Sequence, residues 1–290
     1  MFIATLIAAT LPEGEVSAAR DRLDDAGCLP VAHVWVEQGE ACDLQFGRDP
    51  AAARVALEGQ GYDVVVQPAE HRLKKLIVAD MDSTMITVEC IDELADYAGI
   101  KAQVAEVTEA AMRGELDFEA ALDARVALLT GMDESVIARC LAERVKIMPG
   151  AKALIQTMRA KGATAILVSG GFTRFAEPVA NEIGFNKAIA NVLEIEGGKL
   201  TGKVAKPIVD ASTKLATLAE ATLDLGLFDH ETLAVGDGAN DLAMITQAGL
   251  GVAYHAKPVV AVAAGARIDH GDLSALLYAQ GIARKDWVVA

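Results

Sequence analysis

The chain is poor in cysteine, in basic charge and in long apolar runs, and each shortage removes a class of protein. Its four cysteines, Cys28, Cys42, Cys90 and Cys140, are scattered through 290 residues with no C-x-x-C spacing. That makes neither a zinc motif nor a dense disulfide framework, and it favours a reducing cytoplasm. Lys and Arg number 26 against 41 Asp and Glu, a formal charge of −15. On average such a surface repels a phosphate backbone, which argues against a general nucleic-acid binder. A small anionic substrate stays open, because a local nest of donors can outweigh the global field. No stretch reaches the ~18 consecutive apolar residues of a spanning helix. The opening run MFIATLIAATLPEGE lacks a basic leading region and breaks at Leu11-Pro12-Glu13-Gly14, so it reads as a buried strand and turn rather than a signal peptide. No G-x-x-x-x-G-K-[ST] loop is present, which disfavours a nucleotide kinase. His33, His71, His230, His255 and His270 share no spacing with one another or with the acidic motifs below, and none is assigned a metal.

What is present is ample apolar material, 52% of the residues, enough for a sizeable core in one large domain or two smaller ones. Residues 1–70 read β-α-β-β-α-β, the ferredoxin-like α+β plan. Phe2–Ala8, Val31–Val36, Cys42–Phe46 and Tyr62–Val66 are its strands, and Glu15–Ala26 and Ala51–Glu58 its helices. Gln67–Lys75 is polar, contains Pro68, and reads as a linker.

From residue 76 to 290 the pattern changes. Leu76–Ala79, Ala165–Val168 and Leu233–Val235 are short, unalternated apolar runs, with Gly251–Tyr254 and Ala266–Ile268 as further strands. Helical stretches separate them, notably Lys152–Lys161, Arg174–Ile183 and Ser212–Leu225. That is the signature of an α/β, doubly wound parallel sheet covered on both faces. Val192–Val204, folded about Gly197-Gly198, reads as a hairpin. About residues 87–145 are nearly all helical in pattern and too long for a plain crossover, so they read as an inserted helical cap.

Ligands of open parallel sheets bind beyond the carboxyl ends of the strands. Three strands deliver polar groups there: Asp80-Met81-Asp82-Ser83-Thr84, Ser169-Gly170-Gly171, and Gly236-Asp237-Gly238-Ala239-Asn240-Asp241. Lys214 lies between the second and third, near a helix start. Asp80, Asp82 and Asp237 would repel one another unless a cation sits among them, and hard oxygen ligands suit Mg²⁺. Ser169, the Gly170 backbone and Lys214 offer donors and positive charge to a phosphate. A carboxylate nucleophile, a second carboxyl for proton transfer, a metal and a phosphate nest make a phosphotransfer site. Singly, each piece is an ordinary turn, strand exit or surface lysine; their order at three strand ends carries the argument.

Those four segments resemble the ordered motifs of the haloacid dehalogenase superfamily. The cap segments Val88–Leu94, 111–119 and Leu122–Val126 resemble its branch acting on O-phosphoserine, in the last step of serine biosynthesis. More loosely, the first 70 residues resemble an ACT-like regulatory unit. The resemblance implies Asp80 as nucleophile and Asp82 as acid, then base. It implies Mg²⁺ on the Asp80 carboxylate, the Asp82 carbonyl and Asp237, with Asp241 supporting the metal's water shell or Lys214. Ser169, Gly170, Lys214 and Asn240 would hold the phosphoryl group, Glu89 the substrate ammonium and Arg125 its carboxylate, while Met112 and Phe118 would close over the substrate. The ordinary alternative for Arg125 is a surface pair with Glu119 or Asp123, and for Glu89 a helix-terminal carboxylate. For Met112 and Phe118 the alternative is packing within the cap. An ACT-like unit further implies a possible amino-acid effector and a possible homodimer. Two other functions stay open: action on another small phosphate ester, including phosphoryl transfer to an alcohol, and an inactive amino-acid sensor, against which the complete Asp80, Asp82, Lys214 and Asp237 set argues.

Overall fold

The computed structural model describes residues 1–112 and 115–288. The first six elements are β1 (Phe2–Ile7), α1 (Glu13–Asp25), β2 (Pro30–Glu37), β3 (Ala41–Phe46), α2 (Pro50–Leu57) and β4 (Asp63–Pro68). Asp49 caps α2 by accepting the Ala52 N–H at 2.9 Å, and Pro50 supplies the fixed φ of the first helical turn. The four strands lie in the order β2-β3-β1-β4, antiparallel throughout. Leu6, Leu23, Leu44, Phe46, Leu57 and Val66 meet in a core of their own beneath α1 and α2.

The second set of strands is β5 (Leu76–Ala79), β6 (Thr164–Phe172), β7 (Lys187–Asn191), β10 (Thr232–Gly236), β11 (Leu250–Tyr254) and β12 (Ala266–Ile268). They form a parallel array in the order β12-β11-β10-β5-β6-β7. Alternate residues of each strand serve opposite faces. Ile77, Ala79, Leu167, Leu233 and Val235 pack toward α7 (Ala151–Ala160) and α8 (Thr173–Ile183). Leu76, Val78, Ile166, Val168 and Ala234 pack toward α9 (Ala211–Asp224) and α10 (Leu242–Gln247). Both faces are covered, which is why these runs are apolar without alternation. Between β5 and β6 come the cap helices α3 (Cys90–Tyr97), α4 (Lys101–Met112), α5 (Phe118–Ala127) and α6 (Ser135–Arg144). The hairpin β8 (Leu193–Glu196) and β9 (Lys199–Val204) turns at Gly197-Gly198, both at positive φ, and stands apart from the main sheet. It braces the cap from the core side: Gly131 N–H donates to Leu200 O at 2.8 Å and Glu134 N–H to Gly198 O at 2.9 Å.

Two features depart from the sequence reading. The edge strand β7 was not anticipated, because Lys187–Asn191 has too little apolar content to stand out. The segment 67–75 is not a solvated linker. Gln67 is buried in β4 and donates to Ala279 O at 2.7 Å. Arg72 pairs with the buried Asp43 at 2.5 Å and also donates to the carbonyls of Tyr278 and Ala279. Lys74, also buried, donates to the carbonyls of His71 and His230. Polar residues can line a seam between two cores when most of their groups find partners, and here only the Gln67 Oε1 is left without one among the described residues. Here β4 also pairs antiparallel with β12, so all ten strands form one sheet. Among the described residues no helix is long and apolar enough to cross a membrane.

Arg72→Ala leaves the Asp43 carboxylate buried without its cation. Breaking such a pair costs about 3–5 kcal/mol, so the urea midpoint should fall clearly with the circular-dichroism spectrum unchanged before unfolding. A midpoint equal to wild type would show that the seam adds nothing to stability.

Candidate active site

The sheet edge forms around a seam between β5 and β10. Asp80 N–H donates to Val235 O at 3.0 Å, fixing the first residue beyond β5 against its neighbour strand. Asp80 Oδ1 accepts from the Met81 N–H and from Lys214 Nζ, each at 2.7 Å. Lys214 sits in the first turns of α9, whose start is set by a capping box between Asp210 and Thr213. Its ammonium is almost fully buried and also donates to Asp241 Oδ1 at 2.6 Å. Burial alone would lower the Lys214 pKa, but Asp80 and Asp241 outweigh it and hold the ammonium above its ordinary value. Asp241 Oδ2 accepts the Gly238 N–H at 3.0 Å. A Cβ on Gly236 would lie 2.3 Å from the Asp241 carboxyl carbon, so only glycine lets that side chain tuck beneath the strand end.

Oxygens of Asp80, Asp237 and Asp241 lie within 4.8 Å of one another. Burial, then Asp80 and Glu89, push the Asp237 carboxyl up to about 6. The buried hydroxyl of Thr84 donates to Asp237 at 3.3 Å and works the other way. Closely spaced hard oxygens of this kind fit a divalent cation, whose charge offsets their mutual repulsion.

The Asp82 side chain is engaged elsewhere. Its Oδ1 accepts the Cys90 N–H at 2.9 Å and its Oδ2 accepts the Ser169 hydroxyl at 3.1 Å. Burial, then Glu89 and Asp80, push it up to about 7. A carboxyl at that value can give a proton in one step and take one in the next.

A cavity of about 560 Å³ opens over this floor. Asp80, Asp82, Gly170, Asp237 and Asn240 line it from the core, and Glu89, Phe118 and Arg125 from the cap. Ser169, Lys214 and Asp241 lie beneath the lining, fully buried. The Ser169 hydroxyl is occupied, donating to Asp82 and accepting the Gly171 N–H at 2.8 Å. The side chain of Met112 lies outside the described residues. Phe118 reaches across to the core, its Cζ 3.1 Å from where a Cβ on Gly170 would stand. Glu119 and Asp123 both pair with Lys206, at 2.6 and 2.9 Å, so the surface pairing open to Arg125 is taken by another cation. Arg125 faces Asp92 and Glu89 instead, and burial lowers its pKa against their pull. Glu89 is both the residue preceding α3 and a cavity residue, held by the Ser83 hydroxyl at 2.7 Å.

Three residues escaped the sequence reading. Thr84 was quoted within its motif but given no role. Asn191, buried at the end of β7, donates to Gly170 O at 2.8 Å and Val209 O at 3.1 Å and accepts the Val209 N–H at 2.8 Å. Lys257, just past β11, lines the cavity. For the last two, the only available signal was position at the carboxyl end of a strand.

With this geometry in view, the comparisons with known proteins are direct. Residues 77–246 match the model of the haloacid dehalogenase-like hydrolase family. The chain is 45% identical over 239 residues to a phosphoserine phosphatase of Streptomyces coelicolor, an alignment covering 82% of this chain and 58% of that protein. It is 47% identical over 211 residues to a probable phosphoserine phosphatase of Schizosaccharomyces pombe, covering 72% and 70%. A solved structure of a probable phosphoserine phosphatase from Vibrio cholerae superposes with a TM-score of 0.77 at 33% identity, covering 98% of this chain and 87% of that one. A family hydrolase from Salmonella enterica serovar Typhi superposes at 0.83 and 26% identity, covering 96% and 98%. The chain belongs to the haloacid dehalogenase-like hydrolases. It spans little more than half the length of the Streptomyces relative.

Gly236→Ala should displace Asp241 and with it Lys214. Disturbing a preorganised charge of this kind costs about 10²–10³ in turnover, with the melting temperature showing that the protein still folds. Activity within a few-fold of wild type would remove the Lys214 pair from the reaction.

Proposed function

We propose that this protein hydrolyses O-phosphoserine to serine and inorganic phosphate through an aspartyl-phosphate on Asp80. The observation that carries the substrate is the pairing of Glu89 and Arg125 in one cavity with Asp80 and Asp82. An amino acid presents an ammonium and a carboxylate on one carbon, and a carboxylate and a guanidinium are their complements.

In the first step an Asp80 carboxylate oxygen bonds to phosphorus and the bond from phosphorus to the serine oxygen breaks. Asp82 gives its proton to that oxygen. In the second step a water oxygen bonds to phosphorus, Asp82 takes the water's proton, and the bond from Asp80 to phosphorus breaks. One carboxyl serves both transfers because the acid of the first step is the base needed for the second. The Asp80 carboxylate, the Asp82 carbonyl and Asp237 would hold a Mg²⁺, which would supply positive charge to offset the repulsion between a carboxylate and a phosphate. Lys214 and the Gly170 backbone add donors, Asn240 contacts the phosphoryl group, and Ser169 reaches it once its bond to Asp82 is released. Phe118, which lines the cavity from the cap, excludes water.

The strand order β2-β3-β1-β4 supports an ACT-like reading of the first 70 residues, which carries with it an amino-acid effector and a homodimer. Action on a different small phosphate ester would keep the floor of the site and change only the partners of Glu89 and Arg125.

Phosphate release from a panel of esters tests the proposal. Phosphoserine should be hydrolysed well ahead of phosphoethanolamine, which lacks the carboxylate. Arg125→Ala should lower kcat/KM for phosphoserine by about 30- to 5,000-fold, the loss expected on truncating a desolvated charge pair. Phosphoethanolamine should lose far less; parallel loss on both esters would return the substrate to a generic small phosphate ester. Chelation should stop turnover and Mg²⁺ restore it, whereas restoration by Zn²⁺ alone would contradict an all-oxygen site.

A further inference from the structure

Lys257 is the cavity's other cation. The residue follows β11, its N–H donates to Asp237 O at 3.1 Å, and Pro258 opens the next helix, α11 (Pro258–Ala263), directly after it. The backbone is therefore held on both sides while the side chain, itself exposed, lines the cavity. Among the described residues no carboxylate or carbonyl engages its ammonium as an ion pair or hydrogen bond, whereas Lys214 is bound between two carboxylates.

Position decides what such a cation is for. Glu89, Arg125 and Lys257 line one cavity, Arg125 from the cap and Lys257 from the core. Glu89 thus shares that cavity with one cation from each part of the chain. A second cation beside the carboxylates that hold a metal would weaken metal binding by like-charge repulsion. Beside Glu89 it would equally oppose an ammonium, unless an anion attached to that ammonium lies against it. The carboxylate of an amino acid is that anion, since it shares a carbon with the ammonium.

Resting on the phosphoserine reading above, we propose that Lys257 is a second carboxylate-binding residue, gripping the substrate from the core while Arg125 grips it from the cap. Discrimination for an amino-acid ester is then divided between two parts of the chain. The carboxylate itself bridges them when the cap is closed, so recognition and closure are one event.

The test is Lys257→Met and Lys257→Arg, with kcat and KM measured on phosphoserine and phosphoethanolamine at saturating Mg²⁺. Methionine keeps most of the stem and removes the charge. Lys257→Met should raise KM for phosphoserine about tenfold with kcat within about threefold, as for a charge that binds ground and transition states alike. KM for phosphoethanolamine should stay within about twofold, and Lys257→Arg should restore most of the phosphoserine KM. Equal KM increases on both esters would assign Lys257 to the phosphate or the metal, and no change on either would remove it from the site; both overturn the inference. A wild-type protein with no preference for phosphoserine over phosphoethanolamine would overturn the substrate reading instead, and that result is seen before any variant is made.

Discussion

The site depends on one buried ammonium. Lys214 is 1% exposed and lies 2.7 Å from Asp80 and 2.6 Å from Asp241. A charge so placed is costly unless it is paired, and truncating one partner strands the others. The pairing sets the architecture around it. The residues after β5 and β10 must sit side by side, α9 must begin under them, and Gly236 must carry no side chain. The parallel order β10-β5-β6 meets the first need and the Asp210–Thr213 capping box the second. Asp80, the proposed nucleophile, is thus oriented in advance by Lys214 and the Met81 N–H, as electrostatic catalysis requires.

The cap is tied to this floor through the loop that carries Asp80 and Asp82. Ser83 adopts a left-handed φ of 56° and turns its hydroxyl to Glu89. Two residues beyond Asp80, Asp82 accepts the N–H of Cys90, the first residue of α3. One ten-residue stretch therefore holds Asp80, Asp82 and Glu89, the proposed nucleophile, proton-transfer group and ammonium site, in fixed relation. On the far side, Gly198 and Leu200 of the hairpin after β7 hold the loop from α5 to α6, and Lys206, just beyond the hairpin, pairs with Glu119 on α5. Arg125 and Phe118 ride on that helix, so the floor and the cap side of the cavity are joined through the backbone at both ends of the cap.

Much of this was legible in the sequence because the parallel sheet announces itself. Unalternated runs such as Leu76–Ala79 and Leu233–Val235 can only be buried on both faces, and polar residues directly after them fall on the ligand edge. Asp80, Asp82, Gly170, Asp237 and Asn240 line one cavity for that reason. The cap residues Glu89, Phe118 and Arg125 needed the family resemblance, since a helical pattern does not reveal what its polar face meets. Asn191 and Lys257 were missed because asparagine and lysine in loops are ordinary surface residues until the fold places them. The segment 67–75 reads as solvated for the same reason: only the fold brings to Arg72 the Asp43 carboxylate of β3 and the carbonyls of Tyr278 and Ala279, and to Lys74 the carbonyl of His230.

The account stands on covalent transfer of the phosphoryl group to Asp80, and the stereochemical course at phosphorus tests it most directly. The substrate is phosphoserine made chiral with oxygen isotopes and sulfur at phosphorus, hydrolysed in isotopically labelled water. Two successive in-line displacements, first by Asp80 and then by water, give net retention of configuration in the released thiophosphate. Net inversion would mean a single attack by water, and would contradict Asp80 as the nucleophile.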